Sequence, residues 1–326
     1  MAGMNTSNST LLIRSELWSN QLKDILKDEL AAQSYVDWIS FPDGDVLTIP
    51  SIGDVDVSDY SEDSAIEYTP LATGEFQFSI TEYISSATYI TMKARQDSFQ
   101  SARLEASFVP KQERAIMEHV EMKVLDQGQP GTANGQTANA LNNYNGAAHR
   151  WVAQETMNSV RTLGFRDFAA ARHSLKRAKV PMTNLVAVVD PSVEFAMSLL
   201  APTLDVTYNP QWDGIVGEGL ATGMKFSRNI YGFDVYVSDY LPVIAAGETI
   251  STRASGTNAV ANLFFSAAGD MKPWIGAWRQ SPRVDAEFNK DRQREEYVTT
   301  CRYGVKLYRP ENLVTVLSST NVIAQN

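Results

Sequence analysis

Apolar residues recur three and four positions apart in two separate stretches of the chain. The first is LLIRSELWSNQLKDILKDELAAQ near the N-terminus, and the second follows Pro110. This spacing gives a helix one apolar face. It predicts an amphipathic helix near the N-terminus and a second helix of about five turns, which Pro110 opens and which ends before Gly128.

Alternation of apolar and polar residues marks a different structure between these two helices. The segments DVLTIPSIGDVDV and GEFQFSITEYISSATYITM alternate in this way and are rich in β-branched and aromatic residues. Such a pattern places the apolar residues on one face of a strand. The two segments are therefore predicted to form one long β-hairpin, and the acidic stretch between them is its tip.

Helical and strand patterns follow one another in the second half of the chain. FRDFAAARHSLKRAKVP has helical spacing, and NLVAVV is a short apolar run typical of a strand that is buried on both faces. DPSVEFAMSLLAP then begins with Asp190 as a helix cap and Pro191 at the first helical position. This order of helix, buried strand and helix predicts an α/β unit.

The remaining segments return to strand character. GFDVYVSDYLP and NLFFSAAG predict further strands of the α/β unit. REEYVTTCRYGVKLYRPENLVTVLSS predicts a strand, a turn opened by Pro310 and a closing strand.

Length and composition are those of a globular protein. The 326 residues favour about two domains. No uninterrupted apolar run is long enough to predict a membrane span, and the N-terminus lacks the pattern of a secretion signal. Cys301 is the single cysteine, which excludes an internal disulfide, and its place in an apolar alternating run predicts a buried side chain.

Negative charge is concentrated in one part of the chain. The formal net charge is -10, and residues 28–92 contain thirteen Asp and Glu but no Lys or Arg. Two like charges 4 Å apart repel each other by about 1 kcal/mol even in water. This stretch is therefore expected either to lie in solvent or to lie against a basic surface. The overall charge argues against a protein whose main task is to bind phosphates.

No pattern of residues predicts catalysis, a cofactor or a metal ion. His119, His149 and His173 lie far apart, and none belongs to an HExxH pair. No G-x-S-x-G motif is present, and GEGLATG has Thr222 where a dinucleotide-binding loop requires glycine. DVDVSDYSED departs from the calcium-binding loop because Asp59 occupies the position of its glycine. A structural or assembly role is therefore favoured over an enzyme.

The order of these elements resembles the major capsid protein of tailed double-stranded DNA bacteriophages, which has the Hong Kong 97-type fold. FRDFAAARHSLKRAKVPMTNLVAVVDPS is similar to the helix, turn and strand of that family, and NIYGFDVYVSDYLP and CRYGVKLYRPENLVTV are similar to two later stretches of it. The resemblance extends over nearly the whole chain, from Leu11 to Leu317.

The resemblance implies an α+β fold with five parts. These are an N-terminal arm (1–42), an extended β-hairpin loop (43–92), the first part of a peripheral domain with a long spine helix (93–146), an α/β axial domain (147–280) and the returning strands of the peripheral domain (281–326). The implied function is self-assembly, as hexamers and pentamers, into the icosahedral head that encloses the double-stranded DNA genome.

The resemblance also answers the question of the unbalanced charge, because in this family the extended loop reaches over the adjacent subunit. The carboxylates expected to make contacts across a subunit boundary are Asp54, Asp56, Asp59, Glu62, Asp63 and Glu67. The candidate basic residues opposite them are Lys93, Arg95, Arg103, Lys111, Arg114, Arg292 and Arg294. Some relatives crosslink the shell through a lysine of this loop, and here the loop contains no lysine. That crosslink is therefore excluded from the loop.

The partners implied by the resemblance are other copies of the chain, a portal, a decoration protein and packaged double-stranded DNA, which is bound without sequence specificity. A separate scaffolding protein is expected, because only a short tail precedes the first predicted helix. The expected location is the virion capsid, after assembly in the cytoplasm of the host bacterium, and neither a cofactor nor a membrane contact is expected.

Three other interpretations remain open at this point. An encapsulin-type protein compartment shares the fold and packages an enzyme instead of a genome. A soluble α/β enzyme with an unrecognised motif would form a small oligomer. A phage tail or adhesin subunit fits the closing strands but not the spine helix.

Overall fold

A computed structural model describes most of the chain. The described residues are 30–40, 46–52, 57, 59, 62–63, 73–97, 101–127, 143–158, 160–200, 229–244, 259–320 and 322. Most of the predicted N-terminal helix and most of the hairpin tip lie outside these residues.

Four α-helices and seventeen strands occur within the described ranges. The helices are α1 (Met92–Asp97), α2 (Ser101–Asp126), α3 (Phe165–Arg177) and α4 (Pro191–Leu200). The strands are β1 (Val36–Ser40), β2 (Val46–Ile52), β3 (Thr73–Ser79), β4 (Glu82–Thr91), β5 (Asn143–Tyr144), β6 (Ala147–Ala148), β7 (Arg150–Val152), β8 (Glu155–Met157), β9 (Val160–Thr162), β10 (Leu185–Val189), β11 (Asn229–Ile230), β12 (Phe233–Val237), β13 (Val243–Ile244), β14 (Ala259–Ser266), β15 (Trp274–Asn289), β16 (Arg294–Leu307) and β17 (Leu313–Ser319).

A seven-stranded sheet is the centre of the α/β unit. Its strands follow the order β11-β12-β10-β14-β17-β7, and β13 pairs with β14. All five residues of β10 are buried, which confirms the prediction of a strand covered on both faces. Helices α3 and α4 pack on one face of the sheet through a core that includes Phe168, Leu175, Val193 and Met197.

The predicted cap of α4 is confirmed. The Asp190 Oδ2 atom accepts a hydrogen bond of 2.9 Å from the Ser192 backbone N–H, and Pro191 is the first helical residue. An aspartate at this position satisfies one of the free N–H groups of the first turn. The cap fixes the point at which the chain leaves β10 and enters the helix.

A second, four-stranded sheet has the order β1-β15-β16-β4. β15 and β16 form a long antiparallel hairpin, β4 pairs antiparallel with β16, and β1 pairs parallel with β15. The apolar face of α2 lies in a core that also contains Trp274 and Tyr303 of this sheet and Leu263 of β14. One core is therefore shared by the spine helix and by both sheets.

The helix α2 is longer than predicted. It runs for 26 residues from Ser101, so Pro110 lies inside it and does not open it, and that part of the prediction is wrong. Proline removes one backbone hydrogen bond from a helix interior. The segment SARLEASFV before it consists mainly of residues that tolerate or favour helix, so the helix continues through the proline. The predicted C-terminal end, before Gly128, is confirmed.

The predicted β-hairpin is confirmed in its first half and divided in its second. β2 and β3 pair antiparallel, with Val46 opposite Ser79 and Ile52 opposite Thr73. The second predicted strand is two strands, because β4 leaves the hairpin after Thr81 and pairs with β16. The alternation of apolar residues is interrupted at the break by the consecutive polar residues Thr81 and Glu82, and the strands available for pairing then decide where β4 lies.

The closing strand lies in the seven-stranded sheet, between β14 and β7. The five-part division stays a prediction. Since β17 pairs with strands of the 147–280 segment, we propose that the returning part of the peripheral domain ends near Pro310 and that the residues after it belong to the axial domain.

None of the helices in the described ranges has the length and apolar character that a membrane crossing requires.

Candidate intersubunit surface

The root of the β2–β3 hairpin packs against the four-stranded sheet. Phe78 and Ile80 are buried beside Ile275 and Ala277 of β15 in a small apolar cluster. Lys306 of β16 donates a hydrogen bond of 2.9 Å from its Nζ atom to the Gln77 carbonyl oxygen. The root of the hairpin is therefore fixed to the body of its own subunit by apolar and polar contacts.

Gly304 of β16 makes this close packing possible. A Cβ atom at this position would lie 3.0 Å from the Ser79 carbonyl oxygen and 3.2 Å from the Ile80 Cα atom. Both of these are backbone atoms, which cannot rotate away as a side chain does. The position has room for glycine alone unless the hairpin shifts.

The described residues of the hairpin tip are exposed. They are Val57, which is 95% exposed, and the carboxylates Asp59, Glu62 and Asp63. Within the described part of the chain, none of these three carboxylates forms an ion pair. Asp54, Asp56 and Glu67 lie outside the described residues. The charge of the three described carboxylates is therefore not neutralised by basic residues in the described part of their own subunit.

Three of the candidate basic residues already have an acidic neighbour in their own chain. Arg95 pairs with Glu295, the Arg114 Nε atom lies 3.1 Å from Glu118, and the Arg294 Nε atom lies 2.6 Å from Glu296. The guanidinium of Arg294 also stacks over the Tyr89 ring at 4.3 Å. These contacts reduce the charge that the three arginines can offer to another subunit.

The other candidate basic residues are placed as follows. Lys93, Lys111 and Arg292 are exposed, and Arg103 lies in the first half of α2. In the described part of one subunit, no ion pair joins Asp59, Glu62 or Asp63 to any of Lys93, Arg95, Lys111, Arg114, Arg292 and Arg294.

A contact that the sequence did not reveal joins the end of the N-terminal arm to the spine helix. The carboxylate of Glu121, which is buried in α2, accepts hydrogen bonds from the backbone N–H groups of Ala31 and Ala32, at 3.0 and 2.8 Å. Gln33 donates from Nε2 to the Met117 carbonyl oxygen at 3.3 Å. A signal was present in the sequence, because Glu121 lies directly beside Val120 on the apolar stripe of the predicted helix.

His119 lies at the interface between α2 and the four-stranded sheet. Its Nδ1 atom is 2.9 Å from the Tyr303 hydroxyl, and the Lys123 Nζ atom is 3.5 Å from Glu82 beside it. Burial lowers the pKa of His119 below its ordinary value, and the positive charge of Lys123 lowers it further. Since the unfolded chain then binds a proton at a higher pH than the native protein, the free energy of unfolding falls as the pH drops below about 6.5.

We expect the His119→Gln variant to lose this dependence. The glutamine amide keeps a polar group near the Tyr303 hydroxyl but does not titrate. The measurement is thermal unfolding of both proteins between about pH 7.5 and pH 5, in steps of about half a pH unit. The midpoint temperature should decline less for the variant than for the wild type. Equal declines would show that another group causes the acid sensitivity.

The single cysteine is buried, as predicted, and burial raises the pKa of the Cys301 thiol to about 11. A thiol with such a pKa is a poor nucleophile near neutral pH. In the ranges that the structure describes, no group of three or more His, Cys, Asp or Glu side chains is placed to hold a metal ion.

The fold and this surface define a class of protein. The subunit combines a hairpin whose root packs on the four-stranded sheet, the long helix α2 and two sheets around one shared core. The sequence profile of the family described as phage capsid protein matches residues 86–316, and the chain therefore belongs to that family. It is a structural protein of the virion capsid, in which many copies form the shell.

Solved structures confirm the Hong Kong 97-type fold. A capsid structure of the cyanophage P-SCSP1u is 12% identical, covers 96% of this chain and 94% of its own, and superposes with a TM-score of 0.69. A Mycobacterium phage Che8 chain is 16% identical, with 93% and 96% covered and a TM-score of 0.64. The capsid of Ralstonia phage GP4 is 10% identical, with all of both chains covered and a TM-score of 0.63. No curated protein sequence matches the chain significantly.

The family match bears on the alternative interpretations. It favours a phage head over an encapsulin-type compartment, and it is not the match expected of a soluble α/β enzyme or a tail subunit.

Proposed function

We propose that the chain assembles as hexamers and pentamers into the icosahedral head that encloses a double-stranded DNA genome, and that it catalyses no reaction. The observation that carries this proposal is the hairpin. Its root is fixed to its own subunit, whereas the three described carboxylates of its tip are exposed and form no ion pair in the described part of the chain.

We also propose that these carboxylates meet basic residues of a neighbouring copy. An exposed ion pair contributes only about 0.2 to 1 kcal/mol. In a closed shell the same contact recurs at every equivalent boundary, so a small energy per contact adds up over the particle. Among the candidate basic residues, the exposed Lys93 and Arg292 fit this role better than the three arginines that pair within their own chain.

The further partners in this proposal are a portal, a separate scaffolding protein, a decoration protein and the genome, with assembly in the host bacterial cytoplasm. Because residues 43–92 contain no lysine, the hairpin supplies no amine for a covalent crosslink. The shell is then held together by noncovalent contacts, and purified particles should dissociate completely to monomers on a denaturing gel. A ladder of covalent oligomers would contradict this.

Electron microscopy of the expressed chain, with its scaffolding protein, tests the proposal directly. We expect closed round shells. A homogeneous monomer or small oligomer under all assembly conditions would contradict the proposed function.

The double variant Asp59→Lys/Asp63→Lys tests the role of the hairpin tip. It reverses two charges at exposed positions, so the subunit should fold normally while the attraction between subunits becomes repulsion. The expected result is a decrease in the yield of intact shells on the order of tenfold in sedimentation and electron microscopy.

The matched control is Glu113→Lys/Asp234→Lys, which makes the same change of charge at exposed carboxylates outside the hairpin. It should assemble nearly as well as the wild type. Equal yields from the two double variants would mean that the tip charges make no specific contact.

A further inference from the structure

The solvent-exposed face of α3 carries several cations and no carboxylate. Four of the cations lie in the helix and one follows it directly, and they are Arg166, Arg172, Lys176, Arg177 and Lys179. The single carboxylate of this segment, Asp167, is fully buried. Its oxygens accept hydrogen bonds from the Trp151 indole and from the backbone N–H of Gly164. We call the five cations the α3 basic face.

The packing of α3 fixes the direction of this face. Phe168, Ala171 and Leu175 are fully buried against the seven-stranded sheet. Residues three and four positions apart lie on one side of a helix. The cationic positions therefore project on the side opposite the sheet, and they spread over about 17 Å of helix axis.

These cations are not neutralised by their own subunit. In the described part of the chain none of the five forms an ion pair, in contrast to Arg95, Arg114 and Arg294 of the candidate intersubunit surface. Arg172 donates a hydrogen bond of 2.9 Å to the Tyr231 carbonyl oxygen, and this neutral acceptor leaves its charge in place. A local concentration of positive charge thus exists on a chain whose net charge is -10.

The residues between the cations indicate which kind of partner fits. They are the small Ala169 and Ala170 and the polar His173, so the helix itself presents no large apolar side chain between its exposed cations. Protein interfaces depend on buried aromatic or aliphatic anchors at their centre, and lysine is depleted there. Phosphate groups of a nucleic acid need only cations and hydrogen-bond donors in a row. The exposed Tyr231 beside Arg172 can add one hydroxyl donor.

We propose that the α3 basic face contacts the phosphate backbone of double-stranded DNA without sequence preference. This proposal rests on the proposed function, since the enclosed genome is the duplex in question. A face of five cations on an acidic protein gives weak, salt-sensitive binding, with dissociation constants of about 10⁻⁴ to 10⁻⁶ M at physiological salt. Such contacts hold the duplex near the shell and still let it slide.

The test compares the full-length wild type with Lys176→Glu/Arg177→Glu. Both positions are exposed, so the variant should fold normally. Fluorescence anisotropy with a short random-sequence duplex, over a series of salt concentrations, measures affinity and its salt dependence. We expect the variant to bind on the order of tenfold more weakly at low salt, and the slope of log K against log salt to decrease by about 2.

The matched control is Arg283→Glu/Lys290→Glu, which makes the same change of charge at exposed positions of β15 and of the turn that follows it. It adds negative charge far along the chain from α3 and should bind nearly as the wild type does. Absence of duplex binding by the wild type at low salt, or an equal loss in the control, would overturn the proposal. Tighter binding of polyglutamate than of the duplex, abolished by the α3 variant, would also overturn it by pointing to an acidic protein partner.

Electron microscopy of the same preparations separates this inference from the proposed function. Shells that form normally while duplex binding is unaffected by the α3 variant would refute only the DNA contact. Duplex binding that depends on α3 in a protein that forms no shell would refute only the proposed function.

Discussion

Replacing Gly304 by valine is expected to abolish shell assembly while most of the subunit stays folded. The new Cβ atom would lie 3.0 Å from the Ser79 carbonyl oxygen and 3.2 Å from the Ile80 Cα atom, so the hairpin root must move away from β16. Overpacking of this kind costs about 1 to 3 kcal/mol. A domain has about 5 to 15 kcal/mol of stability, so the two sheets should survive the change.

The functional consequence is larger than the energetic one, because the hairpin would then be misdirected at every subunit boundary. Size-exclusion chromatography and electron microscopy should show folded subunits or small oligomers instead of shells. Limited proteolysis should cut the hairpin faster than in the wild type. Ser85→Val, which adds the same side chain at an exposed position of β4, is the matched control and should assemble. Shells in normal yield from the Gly304 variant would show that the root position does not direct assembly.

Replacing Asn312 by alanine is expected to have the largest effect on stability. Asn312 is 2% exposed, and its Oδ1 atom accepts from the Ser266 backbone N–H at 2.9 Å. Its Nδ2 atom donates to the carbonyl oxygens of Ser266 and Met271, at 2.8 and 2.5 Å. The alanine variant leaves these three backbone groups without the hydrogen bonds that the amide provides. Since each such group costs about 1 to 3 kcal/mol, the free energy of unfolding should fall by at least about 3 kcal/mol.

Urea denaturation followed by tryptophan fluorescence measures this loss. Asn312→Asp is an informative second variant, because a carboxylate keeps the acceptor for the Ser266 N–H but loses both donors and faces two carbonyl oxygens. It should also be strongly destabilised. Asn229→Ala removes an exposed amide whose Nδ2 atom bonds Asp234 at 3.0 Å, and it should change stability by no more than about 0.5 kcal/mol. A small effect at Asn312 would mean that water or a shifted backbone replaces the amide.

The sequence predicted those elements whose signals are local. The cap formed by Asp190 and Pro191 depends on adjacent residues, and the burial of β10 follows from five consecutive apolar side chains. The antiparallel pairing of β2 with β3 also followed from alternation on both sides of a polar turn. For the cap and for β10 the physical cause lies within a few residues, and β2 and β3 are consecutive strands of the chain.

Two of the three failures originate in contacts between distant parts of the chain, and the third, the start of α2, is local. The start of α2 was misplaced because a proline that usually begins a helix is tolerated inside this one. The break before β4 coincides with the consecutive polar residues Thr81 and Glu82, but the choice between β2 and β16 as the paired strand depends on the tertiary structure and could not be predicted. The contact of Glu121 with Ala31 and Ala32 joins residues about ninety positions apart.

The candidate surface was predictable only on its acidic side. A run of carboxylates without a single base is visible in the sequence, and Asp59, Glu62 and Asp63 are exposed as this run suggested. The basic side was not predictable, because an arginine can contact another subunit only if no carboxylate of its own chain already pairs with it. Arg95 pairs with Glu295, which lies 200 positions away, so the sequence gave no warning that its charge is shared.

The position of β17 affects when the subunit becomes complete during its synthesis. β17 lies between β14 and β7, and Thr315 to Leu317 pair with Arg150 to Val152. The edge strand β7 therefore stays unpaired until β17, which lies 165 positions further along the chain, has been synthesised. A nascent or prematurely terminated chain keeps an open sheet, and such a chain is prone to aggregate or to be degraded. Only chains that contain β17 then enter the pool of subunits from which a particle is made.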